Sequence, residues 1–504
     1  MSRMSNLNTR RAASLLAAAL LALAGCSVGT PTATRALATA QLPLLPSAAG
    51  APELQAGAPS ALWWQTLGDA RLEQLVQRAW QDNDDVRIAA ARLASASEFA
   101  QAARGARLPA ADLDVQAGRA RLAAIGSRDG QPHIASPVQW NAVFSWELDL
   151  FGRVRHSIAA AEATADERAA VRDDVRRLIL AQVVDAYLVL RGAQQMRASL
   201  EEQLANQSGT LRLVRERENA GRAAPAERMR AEAQMRLASA RLPSLNAEER
   251  AARNRLATLT GQRLDAPELA ALDQPMPLAL PQTLLTDEPA HLLLRRPDVR
   301  AAERALAAAS AREGAAIAER FPRISLGALV GASGVAGDWH GGDAARWHAG
   351  AAFTLPLFDG GTRRARARAA GAEVLAAQAG FDKALALALE ETDSAIAQWV
   401  QLRSRHAALR EAHQLAQDSA RLARVRYQEG AESLLGVLEA ERIALATQEQ
   451  LVTAHRDVAI ATAASAGVDP GRAGIDHAAA QPAVGGVGIH ARMPHQRHGQ
   501  VGHA

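Results

Sequence analysis

Trp140-Asn141-Ala142-Val143-Phe144-Ser145-Trp146-Glu147-Leu148-Asp149-Leu150-Phe151-Gly152-Arg153 is the stretch on which the fold turns. Val138, Trp140, Ala142, Phe144, Trp146 and Leu148 fall on one side of it. Gln139, Asn141, Ser145, Glu147 and Asp149 fall on the other, the period of two of a strand. Upstream, residues 112–118 alternate as well, with Leu113, Val115 and Ala117 against Asp112, Asp114, Gln116 and Gly118. A stretch containing glycine and proline joins the two, so 112–149 is expected to be a β-hairpin. Residues 72–106 before it read as one helical run. Pro109 stops that run, because proline lacks a donor N–H and disfavours helix in the residue before it.

The same plan is written a second time. Asp85-Val86-Arg87 recurs as Asp298-Val299-Arg300 and Leu108-Pro109 as Phe321-Pro322, both 213 positions on. Leu150-Phe151-Gly152 aligns with Leu357-Phe358-Asp359 (207 positions), and Leu213…Arg215…Arg217…Gly221 with Leu422…Arg424…Arg426…Gly430 (209 positions). A second hairpin is expected over 323–356. Ile324, Leu326, Ala328 and Val330 oppose Arg323, Ser325, Gly327 and Gly331; Trp347, Ala349, Ala351, Phe353 and Leu355 oppose His348, Gly350 and Thr354. After each hairpin a long run free of proline steps its apolar residues by three and four: Val175, Ile179, Val183, Ala186, Leu190, then Leu385, Leu389, Thr392, Ile396, Val400. Helices of that length, on the order of 100 Å, serve a tube or coiled coil rather than a globular core.

The ends differ from the body. Arg3, Arg10 and Arg11 precede an apolar run, Ala12 to Ala24, too short to span a membrane. Leu23-Ala24-Gly25-Cys26 resembles the bacterial lipobox, which implies a signal peptide over 1–25. Cys26 is then the mature N-terminus, carrying a covalent diacylglycerol and an N-acyl chain; Ser27 after it favours sorting to the outer membrane. Residues 26–60, with five prolines, read as a tether. The body divides into a first repeat over 61–263, a Pro-rich joint over 264–290 and a second repeat over 291–467. Residues 468–504, rich in Gly, Ala and His, read as a disordered tail and not as a metal site, despite His477, His490, His495, His498 and His503.

Composition narrows the function. The net charge is +4, but Arg alternates with Glu and Asp along the helical runs, the mark of solvated helix faces rather than a nucleic-acid surface. No GxSxG, HExxH, CxxC or P-loop pattern occurs, and the body histidines show no ligand spacing, so no catalysis, metal or other cofactor is expected. One chain offers four candidate strands. A sheet edge cannot lie open in lipid, and known single-chain barrels start at about 8 strands, so copies must pool strands. Two copies would make eight strands, whose interior side chains fill; three would make twelve and leave a duct. Trp140, Trp146, Trp339 and Trp347 lie in the hairpin segments, as interfacial girdle residues would.

Four segments resemble the TolC-like outer-membrane efflux factors, in particular the NodT-type lipoprotein branch. They are Trp63-Trp64-Gln65-Thr66-Leu67-Gly68-Asp69 with Leu72, Trp146 to Arg153, Leu294 to Glu303, and Leu355 to Gly361. The resemblance implies a mainly α chain with four membrane strands. It implies a homotrimer whose twelve-strand barrel continues into a periplasmic α-barrel, and a passive exit duct for drugs or other small toxic compounds. The implied partners are a periplasmic membrane-fusion adaptor and an inner-membrane transporter, most simply of the RND type. By the same resemblance, Ala220-Gly221 and Glu429-Gly430 are adaptor-docking tips. Glu439 and Gly436 stand at the acidic ring of the gate, where Gly436 supplies no carboxylate, and Tyr427 helps latch the closed end. A type I secretion duct and a lipid-anchored periplasmic scaffold are the alternatives. Relatives end their last helix on an Ala-Leu-Gly-Gly-Gly-Trp-like segment; here Ala464-Ser465-Ala466-Gly467 leads into the tail, as a shifted reading frame near residue 465 would produce, which resequencing tests.

Overall fold

Proline, glycine and asparagine punctuate this chain and fix where its elements begin. The computed structural model describes residues 54–56, 63–122, 133–274, 276, 284–286, 295–335 and 344–468. Strand β1 (Leu54–Ala56) precedes helices α1 (Ala70–Asp82) and α2 (Asp84–Gly105). Strands β2 (Ala110–Ala117), β3 (Ala120–Leu122), β4 (His133–Ala135) and β5 (Pro137–Leu148) follow, then α3 (Arg153–Asn219), α4 (Pro225–Ser239) and α5 (Leu242–Leu259). The second half has β6 (Leu284–Thr286), α6 (Pro297–Ala318), β7 (Arg323–Val335), β8 (Ala345–Thr354), α7 (Thr362–Gln428) and α8 (Leu434–Val468). The signal segment, Cys26, Trp339 and the tail after Val468 lie outside the described residues.

Three sequence expectations need correction. The single helix expected over 72–106 is two, because Asn83 leaves the helix (φ −66°, ψ 129°) and caps the next one. Its side chain accepts from the N–H groups of Asp85 and Val86 and donates to the Leu259 carbonyl at 2.9 Å. The alignment of Gly152 with Asp359 also shifts by two. Gly152 (φ +84°) and Gly361 (φ +85°) hold the same left-handed position just before α3 and α7, and each of these helices has 67 residues. Segments read as tether and joint also meet: Leu54–Ala56 pairs in parallel with Leu284–Thr286.

At about 1.5 Å per residue, α3 and α7 are each on the order of 100 Å long. At the end near the strands, α2 packs on α3, α3 on α6 and α6 on α7; at the far end α4 and α5 pack on α3, α3 on α8 and α8 on α7. The largest core wraps the middle of α3, where Val183, Val184, Leu188 and Leu190 meet Trp63, Trp64, Leu72, Leu256, Leu272 and Trp399. Trp399 is fully buried, its indole N–H donating to Thr462 Oγ1 at 2.9 Å. Arg191, also buried, fastens the N-terminal segment and the joint to this level. It donates to the carbonyls of Leu272 (3.1 Å) and Gln274 (2.7 Å) and lies 3.7 Å from the Asp69 carboxylate.

Candidate functional site

The four long strands form one antiparallel sheet in the order β2-β5-β7-β8, so the two hairpins join through β5 and β7. Register across the sheet lines up residues that the sequence could only assign strand by strand. Leu113, Ala142, Val330 and Trp347 make one row; Val115, Trp140, Ala332 and Ala345 make the next; Ala111, Phe144, Ala328 and Ala349 make a third. One face is therefore apolar across all four strands. In the lone chain that face is open: Leu113, Val115, Phe353 and Trp347 are all exposed, the last at 80%.

The opposite face is polar for most of its height. The amide of Gln139 donates to Gln116 Oε1 at 2.7 Å, and the Arg346 guanidinium donates to Asn141 Oδ1 at 2.7 Å. Gly331 makes that reach possible: it lies between Asn141 and Arg346, and a side chain there would strike the Trp140 carbonyl oxygen. One row breaks the polarity, with Val143 and Leu329 between Asp112 and His348. Trp140 and Trp146 point to the apolar face six residues apart on β5, about 20 Å at ~3.4 Å per residue. Trp146 also donates its indole N–H to the Arg107 carbonyl at 2.9 Å, which fixes the foot of the sheet to the end of α2. Trp347 sits one row of this face below Trp140.

At the far end, both helix turns close in the same way. Arg222 N–H donates to Arg217 O at 2.7 Å and Gly221 N–H to Glu218 O at 2.9 Å; in the second half Ala431 donates to Arg426 O at 2.8 Å and Gly430 to Tyr427 O at 3.1 Å. This is the Schellman pattern, which places its glycine at positive φ: +67° at Gly221 and +79° at Gly430. Ala220 and Glu429 are the C-cap residues between these helices and their glycines.

Tyr427 is buried just above the second turn, beside Leu211, Val214, Leu434 and Val437. The Arg217 guanidinium lies over its ring at 4.5 Å, and its hydroxyl donates to Glu227 Oε2 at 3.4 Å. Burial first, and the nearby Glu227 carboxylate, push the phenol above its ordinary pKa against the pull of Arg217. Glu439 is exposed on α8 and held by Arg442 one turn on, at 2.6 and 2.9 Å; that hydrogen bond keeps its carboxyl below the ordinary value. Gly436 lies one turn before it, where Ser433 Oγ accepts from its N–H at 3.1 Å.

Glu441 escaped the sequence reading. It is buried between three helices, accepting from Arg424 of α7 at 2.8 Å and from Thr210 Oγ1 of α3 at 2.9 Å, and its Oε2 has no hydrogen-bond partner. Glu439 and Glu441 are two positions apart, about 200° around the helix, so one faces water and the other the seam.

A sheet with one continuous apolar face, its edges β2 and β8 unpaired among the described residues, mounted on helices about 100 Å long, defines the class of wall-forming outer-membrane channel subunits. Residues 75–262 and 289–464 match the family described as outer membrane efflux protein, and the chain belongs to that family. It is 29% identical over 400 residues to "Nodulation protein T" of Rhizobium leguminosarum bv. trifolii, covering 78% of this chain and 84% of that one. It is 30% identical over 451 residues to the "Toluene efflux pump outer membrane protein TtgF" of Pseudomonas putida, covering 86% and 91%. The solved structure of the outer-membrane channel OprN superposes with a TM-score of 0.76 at 31% identity, covering 84% of this chain and 95% of that one. The fold is thus TolC-like, mainly α with a contribution of strands.

Proposed function

We propose that this chain is one of three identical subunits of an outer-membrane exit duct in a tripartite efflux pump, passing drugs or other small toxic compounds. The observation that carries the reading is the row-by-row apolar face of a sheet with two free edges. Such a face is stable against lipid, and such edges are stable there only when paired with another copy. Three copies give twelve strands, with the polar face of Gln116, Gln139, Asn141 and Arg346 turned to the lumen. The margins of the helical part support the same arrangement. Phe99 and Ile88 on α2, Met229 and Leu237 on α4, and Leu375, Leu415 and Leu422 on α7 are exposed apolar side chains on helices that end the protomer's row.

In this reading Trp146 marks the periplasmic rim of the apolar band, Trp140 and Trp347 the outer rim, and acylated Cys26 adds a lipid anchor. The tips at Ala220-Gly221 and Glu429-Gly430 face the adaptor's helical hairpins, and the RND transporter beneath supplies energy. Tyr427, Glu439 and Gly436 lie at the end that closes. The duct carries out no chemistry of its own.

Detergent extracts of outer membranes test this directly. An unboiled sample migrating at about three times the mass of the mature protomer, collapsing to one on heating and conducting ions in planar bilayers, is expected. A water-soluble monomer without conductance would overturn the reading. Deletion, with adaptor and transporter present, is expected to sensitise cells to amphipathic toxic compounds.

A further inference from the structure

α7 and α8 lie against each other, and at one level each contributes an imidazole. His455 Nδ1 of α8 lies 3.3 Å from His406 Nε2 of α7; the ring centroids are 5.3 Å apart with 51° between the planes. Both rings are half-buried. With one N–H between them the two rings hydrogen-bond. The same spacing suits another cation. A metal ion bound to both nitrogens at the usual imidazole distance of ~2.0–2.1 Å would see them at about 105°, close to the tetrahedral angle.

We propose that His406 and His455 form a two-imidazole site for a divalent first-row transition ion such as Zn2+, Cu2+ or Ni2+. Bound there, the ion staples α7 to α8. Each helix supplies one ligand, so binding favours the packed arrangement of the pair over any in which the helices separate. Imidazole suits this class of ion, whereas Mg2+ and Ca2+ prefer oxygen.

The surroundings set how tightly the ion is held. Burial first, then the charges of His455 on α8 and of Arg410 and Arg403 on α7, lower His406 from its ordinary pKa. The two arginines also repel a dication. Among the described residues no group of three or more His, Cys, Asp or Glu is placed to hold an ion, so water would complete the shell and the site is weaker than a closed structural zinc site. The inference concerns a helix seam and stands whether or not the duct reading holds.

The test uses the full chain in detergent, since the tail carries histidines of its own. Thermal unfolding is followed with and without Zn2+ for the wild type, His406→Gln, His455→Gln and the double variant. Glutamine keeps a hydrogen bond across the seam but is a poor ligand. The wild type is expected to gain on the order of 2 °C in Tm with Zn2+. Each variant is expected to lose that gain while melting near the wild type without metal. Cu2+ provides a second measurement, by electron paramagnetic resonance. A signal from two coordinated nitrogens is expected in the wild type and is lost in either variant. An equal Zn2+ gain in all four proteins assigns the metal to the tail and overturns the proposal, as does a wild-type copper signal that survives both substitutions.

Discussion

Arg217 of α3 holds Tyr427 of α7 from two directions: its guanidinium lies 4.5 Å above the ring and donates to the tyrosine's own carbonyl oxygen at 2.6 Å. The same tyrosine donates to Glu227 of α4. Three helices therefore converge on one side chain at the end far from the sheet. Replacing Arg217 by Ala removes a cation–π contact and a charge-assisted hydrogen bond, together about 2 kcal/mol of local stability. Tyr427→Phe removes only the longer contact to Glu227. Single-channel recordings are expected to show larger or more frequent openings for Arg217→Ala than for Tyr427→Phe; the reverse order would assign closure to the hydroxyl.

The two tips offer a matched pair of backbone substitutions. Nothing lies within 4 Å of a Cβ built on Gly221 or Gly430, so an alanine there meets no neighbour and its cost is conformational. A left-handed L-residue costs roughly 1–2 kcal/mol. Gly221→Ala and Gly430→Ala are each expected to preserve assembly while raising amide hydrogen exchange in the last turns of α3 and α7. Unchanged exchange would mean the turns adapt without strain.

How much of this was readable beforehand varies with the kind of interaction. The hairpins were legible because alternation needs only one strand at a time, as in Trp140, Ala142, Phe144, Trp146. The long helices were legible because proline is absent and the apolar step is regular. The row Leu113-Ala142-Val330-Trp347 was not, since its members are far apart in sequence and meet only through register. The break at Asn83 was hidden because its cap depends on a side chain competing with the helix's own hydrogen bonds. Glu441, buried two positions beyond exposed Glu439, and His406, 49 positions from His455, carry no local signature at all.

Asp298 gives a prediction in pH. Burial works to raise its carboxyl, but the hydrogen bond and charge of Arg296, with help from Arg177, outweigh it and leave the group below the ordinary carboxylate value. A depressed folded value contributes stability that is complete above the unfolded pKa and lost as pH falls through the folded one. Asp298→Asn is therefore expected to be less stable than the wild type at pH 7 and to converge with it as pH falls through the depressed folded value. Denaturant midpoints measured at pH 7 and down an acid series check this; a constant difference would place the effect in packing alone.

Glu441 is expected to matter more than its exposed neighbour. Glu441→Ala leaves Thr210 and the partly exposed Arg424 without their common acceptor, a loss of about 2 kcal/mol. Glu441→Gln keeps an acceptor oxygen and is expected to lose about half of that. Glu439→Ala gives up only a solvent-screened surface pair with Arg442 and is expected to leave stability nearly unchanged. Thermal unfolding of the three variants orders them; equal effects would remove the distinction between seam and surface.

The sheet's two faces can be tested against each other within one strand. Val330 of β7 stands on the apolar face, in the row between those of Trp140 and Phe144, while Ser333 of the same strand pairs with Gln139 on the polar face. An arginine facing lipid costs ~2–4 kcal/mol at the midplane and ~0–1 kcal/mol near the interface. Val330 pairs with Trp347 toward the outer rim, and the cost is repeated in every copy of an oligomer. Val330→Arg is therefore expected to weaken heat-resistant assembly. Ser333→Arg faces water in the duct, should assemble normally, and is expected to change ion selectivity in planar bilayers. A soluble hairpin packed on helices has no reason to discriminate in this direction: an arginine would be tolerated wherever the lone chain leaves the side chain exposed, and Val330 is 50% exposed. Tolerance at 330 and failure at 333 would invert the faces, and with them the side on which lipid lies.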